Sequence, residues 1–172
     1  MLIHVAIRGG MADLQAQGTV LEDVAALKRV RVVCLKGCPN LEALPAFSCL
    51  ESIHLELCPK LTQAPAVTAR AALLFTGITD LAPLDGVIEL ELSSNLELTG
   101  LEHLFSLRKL VAPWCSFVSL QLGSTKRLDF VDLQFCHVAA AALPQFANVH
   151  TVLLGQCRGL SEAAVLAGVR RL

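Results

Sequence analysis

Cysteine and histidine residues at a repeated short spacing are the first candidates for chemistry in this chain. Cys34 precedes Cys38 by four residues, and His54 precedes Cys58 by the same interval. Thiolates and imidazoles are common ligands of zinc, which takes four ligands in a tetrahedron. The four side chains would make a zinc site if the fold brought them to one point.

Two further patterns would suit an enzyme. Glu89 and Glu91 alternate along one segment, as an acid and base pair would, and residues 123–127 (GSTKR) resemble the end of a phosphate-binding loop. The upstream glycine spacing of such a loop is absent, and no G-x-S-x-G nucleophile motif occurs. We therefore predict that the protein is not an enzyme and uses no cofactor and no small-molecule substrate.

The positions of these residues follow from a repeat that runs along most of the chain. In the repeat an apolar residue is followed by a second three residues later and a third after two more, and a small or polar residue comes three residues after that. One copy departs from this pattern, with Arg70 in the first apolar position and Ile78 in the last position. Seven copies start at residues 30, 50, 70, 87, 107, 128 and 149. A period of about twenty residues predicts a solenoid in which each copy adds one short parallel strand to a common core.

The repeat decides where the candidate ligands point. Alternate residues of a strand face opposite sides, so Cys34 and His54 are expected on the outer face. Cys38 and Cys58 follow their strands, where the chain bends into the core. Five of the seven cysteines occupy this bend position, and we expect them to be buried, reduced thiols. No metal site is therefore predicted.

Two segments carry a resemblance to a known family. Residues 50–61 (LESIHLELCPKL) and 87–98 (VIELELSSNLEL) resemble the leucine-rich-repeat consensus LxxLxLxx(N/C)xL, and the likeness extends over roughly residues 28–172. The resemblance is to short, cysteine-bearing repeats. It implies an α/β-type solenoid, a right-handed superhelix with a parallel strand face and a mostly irregular convex side.

The repeats predict a single domain over residues 1–172 with about eight units. Residues 1–29 form a first repeat whose convex segment, from Met11 to Lys28, has near-helical spacing of its apolar residues. Residues 30–168 form seven repeats, and 169–172 start a further one. In the copy that starts at Arg70, Leu73 and Phe75 are the expected core residues of the strand.

Composition limits the classes of partner. The formal net charge is −1 and the basic residues are scattered, which argues against direct electrostatic binding of nucleic acid. Residues 133–157 carry no charge, but a proline, two histidines and the repeat phase argue against a membrane-spanning helix. The first residues lack the features of a signal peptide, so an intracellular, cytoplasmic location is predicted, with no membrane contact.

The ends of the array lack the polar caps that an open solenoid needs. Two explanations stay open: the chain is a piece of a longer protein, or partner subunits cover its ends. The hydrophobic fraction of 54% fits either explanation. We expect a subunit of a larger assembly.

The remaining candidate for function is the open strand face. Exposed aromatic residues with charged neighbours are typical of protein-binding surfaces. The predicted binding residues are Trp114, Phe130, Phe135, Val111, Asp132, Leu153, Glu91 and Glu89. One alternative is that Trp114 or Phe135 folds back into a gap in the core.

The predicted function is a non-catalytic protein–protein interaction module or scaffold, which binds a protein partner on the strand face and at its uncapped ends. One alternative is a substrate-recognition subunit of an enzyme complex such as a ubiquitin ligase. The other alternative is a structural subunit of a ribonucleoprotein or cytoskeletal particle.

Overall fold

A computed structural model describes residues 2–8, 11–17 and 30–160 of the chain, and it contains one nine-stranded sheet whose strands follow chain order. The first two strands pair antiparallel, and each later strand is parallel to the one before it. The strands are β1 (Leu2–Arg8), β2 (Met11–Gln17), β3 (Val32–Lys36), β4 (Ser52–Cys58), β5 (Arg70–Thr76), β6 (Glu89–Ser93), β7 (Lys109–Val111), β8 (Phe130–Asp132) and β9 (Thr151–Leu153).

The parallel order makes the molecule a β-solenoid, which confirms the prediction of a solenoid with a parallel strand face. From β3 to β9 there are seven strands, so the chain makes six turns between them. Each parallel neighbour requires the chain to return to the starting side of the sheet before the next strand. The return segments include 3-10 helices at Ala82–Leu84, Leu101–His103 and Ala140–Phe146.

The inward positions of the repeats from β3 to β9 form the core in two rows. The first row pairs in register from strand to strand and is buried throughout: Val33, Ile53, Ala71, Leu90, Leu110, Val131 and Val152. The second row is also buried: Leu35, Leu55, Leu73, Leu92, Ala112 and Leu133. Burying one leucine or valine side chain contributes about 1.5–3 kcal/mol, so the stacked rows are the main source of stability.

The bend position supplies a second connection between repeats. Its side chains donate to the carbonyl of the second core residue of the preceding repeat. The donor–acceptor distances are 4.0 Å from Cys58 Sγ to Leu35 O, 2.6 Å from Asn95 Nδ2 to Leu73 O, 3.0 Å from Cys136 Sγ to Ala112 O and 2.9 Å from Cys157 Sγ to Leu133 O. The amide of Asn95 also accepts from the backbone N–H and the hydroxyl of Thr76, both at 3.0 Å.

The prediction for the third repeat is wrong by two residues. The core residues of β5 are Ala71 and Leu73, which pair with Ile53 and Leu55, whereas Phe75 is 51% exposed. Thr76, not Ile78, lies opposite Cys58. The sequence ARAALLFT fits the apolar spacing in two registers, and the parallel pairing selects the one with the small Ala71 inside.

The helical segment predicted from Met11 is wrong over residues 11–17, which form β2. This strand pairs antiparallel with β1, from Leu2 opposite Gln17 to Arg8 opposite Met11, and parallel with β3. The remainder of that segment, residues 18–28, lies outside the described residues. The further repeat predicted to start at residue 169 also lies outside them.

The uncharged stretch 133–157 contains the 3-10 helix Ala140–Phe146 and strand β9. None of the helices found in residues 2–8, 11–17 and 30–160 has the length and apolarity needed to cross a bilayer.

Candidate functional site

The outward residues of the parallel strands form what we call the strand face. It has two rows that run from β3 to β9 and, at β3–β6, a short row of Lys36, Glu56, Leu74 and Ser93. Both long rows follow the register of the sheet, one residue per repeat. The outer row is Val32, Ser52, Arg70, Glu89, Lys109, Phe130 and Thr151, and the inner row is Cys34, His54, Ala72, Glu91, Val111, Asp132 and Leu153.

A further row lies at the end of each strand from β3 to β9, within the last residues of β4 and β5 and just after the other strands, and we call it the corner row. Its members share a left-handed backbone, with φ between 53° and 63°: Gly37, Leu57, Phe75, Ser94, Trp114, Phe135 and Gln156. Several of their N–H groups donate to a carbonyl of the following repeat, as from Trp114 to Gln134 at 3.1 Å and from Phe135 to Gly155 at 3.0 Å. The left-handed turn is therefore part of the repeat.

The corner row places large apolar side chains in solvent at strained positions. A residue other than glycine costs about 1–2 kcal/mol in this conformation. Leu57, Phe75 and Trp114 are nevertheless 47%, 51% and 57% exposed, and Phe135 is partly exposed. Neither Trp114 nor Phe75 is a core residue.

Trp114 and Phe135 form a stacked pair across two neighbouring repeats. Their ring centroids are 4.1 Å apart and their planes differ by 4°. Such a pair contributes about 0.5–1.5 kcal/mol beyond burial. It holds both rings in one orientation at the corner, so a binding partner would meet a preformed aromatic surface. We call these two residues the aromatic pair.

The other predicted binding residues lie on the strand face of β6–β9. Val111, Asp132 and Leu153 are consecutive in the inner row, and Glu91 precedes them in the same row. Phe130 is in the outer row, where the ammonium of Lys109 lies 5.8 Å from its ring centroid. The predicted set thus forms two groups: the aromatic pair at the corner and a mixed apolar and acidic group on the strands.

Ion pairs neutralise part of the strand face but not its inner row at β6–β8. Arg70 Nε lies 3.2 Å from Glu89 Oε2, and Lys36 Nζ lies 3.0 Å from Glu56 Oε2, which lowers the pKa of Glu56. In the described part of the chain, Glu91 and Asp132 are in no ion pair. One oxygen of Asp132 accepts the backbone N–H of Gln134 at 3.0 Å, and Glu91 is exposed.

The candidate ligands of the opening repeats are on opposite faces, as predicted. Cys34 and His54 are neighbours in the inner row, whereas Cys38 and Cys58 are buried. Burial raises the pKa of Cys34, so its thiol is neutral near pH 7 and a weak nucleophile. Over the described residues, no group of three or more histidine, cysteine, aspartate or glutamate side chains is placed to hold a metal ion.

A shallow groove crosses the strand face above Ala72, the smallest side chain of the inner row. Its volume is about 220 Å³, and its walls include His54, Arg70, Glu91 and Lys109. Pockets that enclose a small molecule have volumes of roughly 300–1,000 Å³. The open shape of the groove suits contact with another macromolecule better than enclosure of a small ligand.

Two exposed residues of the corner row are absent from the predicted set. Leu57 and Phe75 share the conformation and register of the aromatic pair. The sequence indicates the exposed position of Leu57, because it lies two residues after the second core residue of its strand. Phe75 has the same position, but the register predicted for the third repeat is wrong by two residues and places Phe75 in the core.

Comparisons with protein-family models, with curated proteins and with solved structures give no match for this chain.

Proposed function

We propose that the protein is a non-catalytic protein–protein interaction module or scaffold of the leucine-rich-repeat type. A protein partner binds along the corner row and the adjacent strand face, and the module is a subunit of a larger intracellular assembly. The single observation that carries the proposal is the aromatic pair, in which exposed Trp114 stacks on partly exposed Phe135 and both have a strained backbone.

The strained backbone of the corner row distinguishes a binding role of its apolar side chains from a packing role. Glycine adopts the left-handed corner without cost, as at Gly37, whereas Ser94 and Gln156 bear the strain without exposing an apolar side chain. Bulky apolar residues there lower stability without filling the core. Strained positions of this kind concentrate at functional sites, and exposed tryptophan and phenylalanine side chains are typical anchors of protein interfaces.

Two further features support the finer parts of the proposal. The buried Asn95, which bonds both Leu73 and Thr76, has the role that an asparagine in the leucine-rich-repeat consensus position is expected to have. All seven cysteines are free thiols. Free thiols are the usual state in a reducing compartment, which supports an intracellular location.

The test is affinity capture with matched variants. The tagged full chain, a Trp114→Ala/Phe135→Ala variant and a Phe105→Ala/Val118→Ala variant are used as baits. Phe105 and Val118 are exposed apolar residues outside the corner row, so they control for general surface hydrophobicity. We expect a specific partner to be retained by the wild type and the control and lost by the first variant.

The captured partner is then purified and titrated against the wild type. Trp114 is the only tryptophan and the chain has no tyrosine, so its emission reports on this corner alone. Binding at the aromatic pair should shift that emission to shorter wavelength. A partner that still binds Trp114→Ala/Phe135→Ala at full affinity, while circular dichroism shows both proteins folded, would refute the proposal.

A further inference from the structure

We infer that the surface beside the aromatic pair binds a basic, extended segment of the partner, with two cationic side chains three residues apart. The inference rests on the proposed function and specifies the partner's chemistry. It follows from the two carboxylates of the inner row, their separation, and the position of Val111 and Asp132 in the repeats of the aromatic pair.

Some carboxylates of the strand face are in ion pairs and others are not. Glu89 and Glu56 each face a basic side chain within 3.2 Å, whereas Glu91 and Asp132 have no ion-pair partner among the described residues. Val111 lies between these two carboxylates in register and is partly exposed. A matching segment therefore carries two positive charges on either side of an apolar contact.

The separation of the carboxylates selects the conformation of the segment. Glu91 and Asp132 are two strands apart, which is about 9.6 Å at the usual strand spacing. In a polyproline II helix, residues i and i+3 lie on the same face and are about 9.3 Å apart. In a β-strand the same-face residues i and i+2 are only about 6.8 Å apart, so the fit is poorer.

The aromatic pair extends the same site. Trp114 follows β7 and Phe135 follows β8, the strands that carry Val111 and Asp132. Rigid exposed aromatic rings are the surfaces on which polyproline II segments dock, because proline rings pack on them at low entropy cost. The face is open, so a segment of chain fits it better than a small dication, which needs enclosure.

Among the described basic residues that line the groove beside Glu91, Lys109 is the one in no ion pair, and its charge opposes a basic segment. It lies in the outer row of β7, two residues before Val111, with its ammonium over the Phe130 ring. Removing this charge without changing the carboxylates should therefore tighten the binding of a basic segment. A surface that only attracts apolar residues would not respond in this way.

The probe is a twelve-residue polyproline peptide with two arginines at positions i and i+3, without tryptophan or tyrosine. Its isomer with adjacent arginines is the matched control peptide. Binding is followed by the emission of Trp114. The variants are Glu91→Gln/Asp132→Asn, Lys109→Gln and Glu42→Gln/Asp85→Asn, which removes two exposed carboxylates outside the strand face and gives the same change in net charge.

We expect the i, i+3 peptide to bind the wild type more tightly than its isomer. The Glu91→Gln/Asp132→Asn variant should lose about tenfold in affinity, the sum of two exposed ion pairs, and the Lys109→Gln variant should gain about twofold. The Glu42→Gln/Asp85→Asn control should match the wild type. The loss should shrink in high salt, because the two contacts are exposed to solvent.

Three results would overturn the inference: no binding of the i, i+3 peptide, equal affinity for both peptides, or equal loss in the two carboxylate variants. Any of these, with a captured partner that still depends on Trp114 and Phe135, leaves the proposed function standing. Loss of both the peptide binding and the Trp114-dependent capture overturns both proposals.

Discussion

Replacing Ser94 with glycine is expected to stabilise the protein. Ser94 has φ of 55° at the corner after β6, and its side chain makes no described hydrogen bond in residues 30–160. Relief of the left-handed conformation is worth about 1–2 kcal/mol, and the added freedom of glycine in the unfolded chain costs about 0.5–1 kcal/mol. The net gain is about 0.5–1 kcal/mol, or about 1–4 °C in Tm for a chain of this size.

The preceding residue provides the matched control. Ser93 is the last residue of β6 and pairs with Leu74 in an extended conformation. Ser93→Gly removes the same hydroxyl group where glycine has no conformational advantage, so it should destabilise the protein by about 0.5–1 kcal/mol. Adjacent serines are thus expected to give opposite signs, which no general effect of adding glycine would produce.

Urea unfolding of the wild type, Ser94→Gly, Ser94→Ala and Ser93→Gly is followed by circular dichroism and by the emission of Trp114. Equal slopes of unfolding free energy against urea concentration are required before the midpoints are compared. Ser94→Ala keeps the strain and should be close to the wild type. If both glycine variants shift the urea midpoint of unfolding in the same direction, the left-handed backbone at Ser94 is not strained.

Four other predictions concern the repeat contacts, the thiols and the aromatic pair. Asn95→Leu should lower the unfolding free energy by about 2–4 kcal/mol, because it leaves the Leu73 carbonyl and the Thr76 N–H without partners. Asn95→Cys should lower the unfolding free energy by less in the same urea titration. Among the thiols, exposed Cys49 should react first with a disulfide reagent and buried Cys115 and Cys136 only on unfolding, so rapid modification of all three would contradict their placement. Burial raises the pKa of Cys115 to about 11 and that of Cys136 to about 12, above the ordinary 9.0. The contribution of these neutral thiols to the unfolding free energy should therefore be fully present below pH 9 and be lost as the pH rises towards 12. The Cys115→Ala/Cys136→Ala variant should show a smaller decrease of the unfolding free energy over that range. Acrylamide should quench Trp114 in the folded wild type and quench it more strongly in Phe135→Ala, which removes the stacked ring; a protected Trp114 would refute its exposure.

The repeat spacing was enough to predict the parallel solenoid and most core positions. Where a repeat carries leucine or valine at both strand positions, as at Val33 and Leu35, one register satisfies the spacing and the prediction is confirmed. The third repeat failed because Ala71 is a weak hydrophobic signal beside Leu73 and Phe75. Parallel pairing with β4, which sequence spacing does not contain, decides the register there.

The first strands show a different limit. Helical spacing predicts a helix that includes Met11–Gln17, although Ala12, Leu14 and Ala16 also alternate with polar residues as in a strand. The preceding Gly-Gly sequence, between two runs of seven residues, is also a hairpin signal. The two-residue alternation and the Gly-Gly sequence both indicate a strand, whereas the helical spacing of the longer segment indicates a helix and is wrong over these residues.

The strand-by-strand order of the sheet also has a mechanical consequence. Packing contacts between strands join each strand to its neighbours in sequence, and the backbone hydrogen bonds of the sheet run along the direction of stacking. Tension applied along that direction would load these bonds a few at a time, so the array would peel open repeat by repeat. Each released unit of about twenty residues would extend from the ~4.8 Å that it occupies in the stack to at most roughly 70 Å, which makes the sheet an extensible element between the points where force is applied.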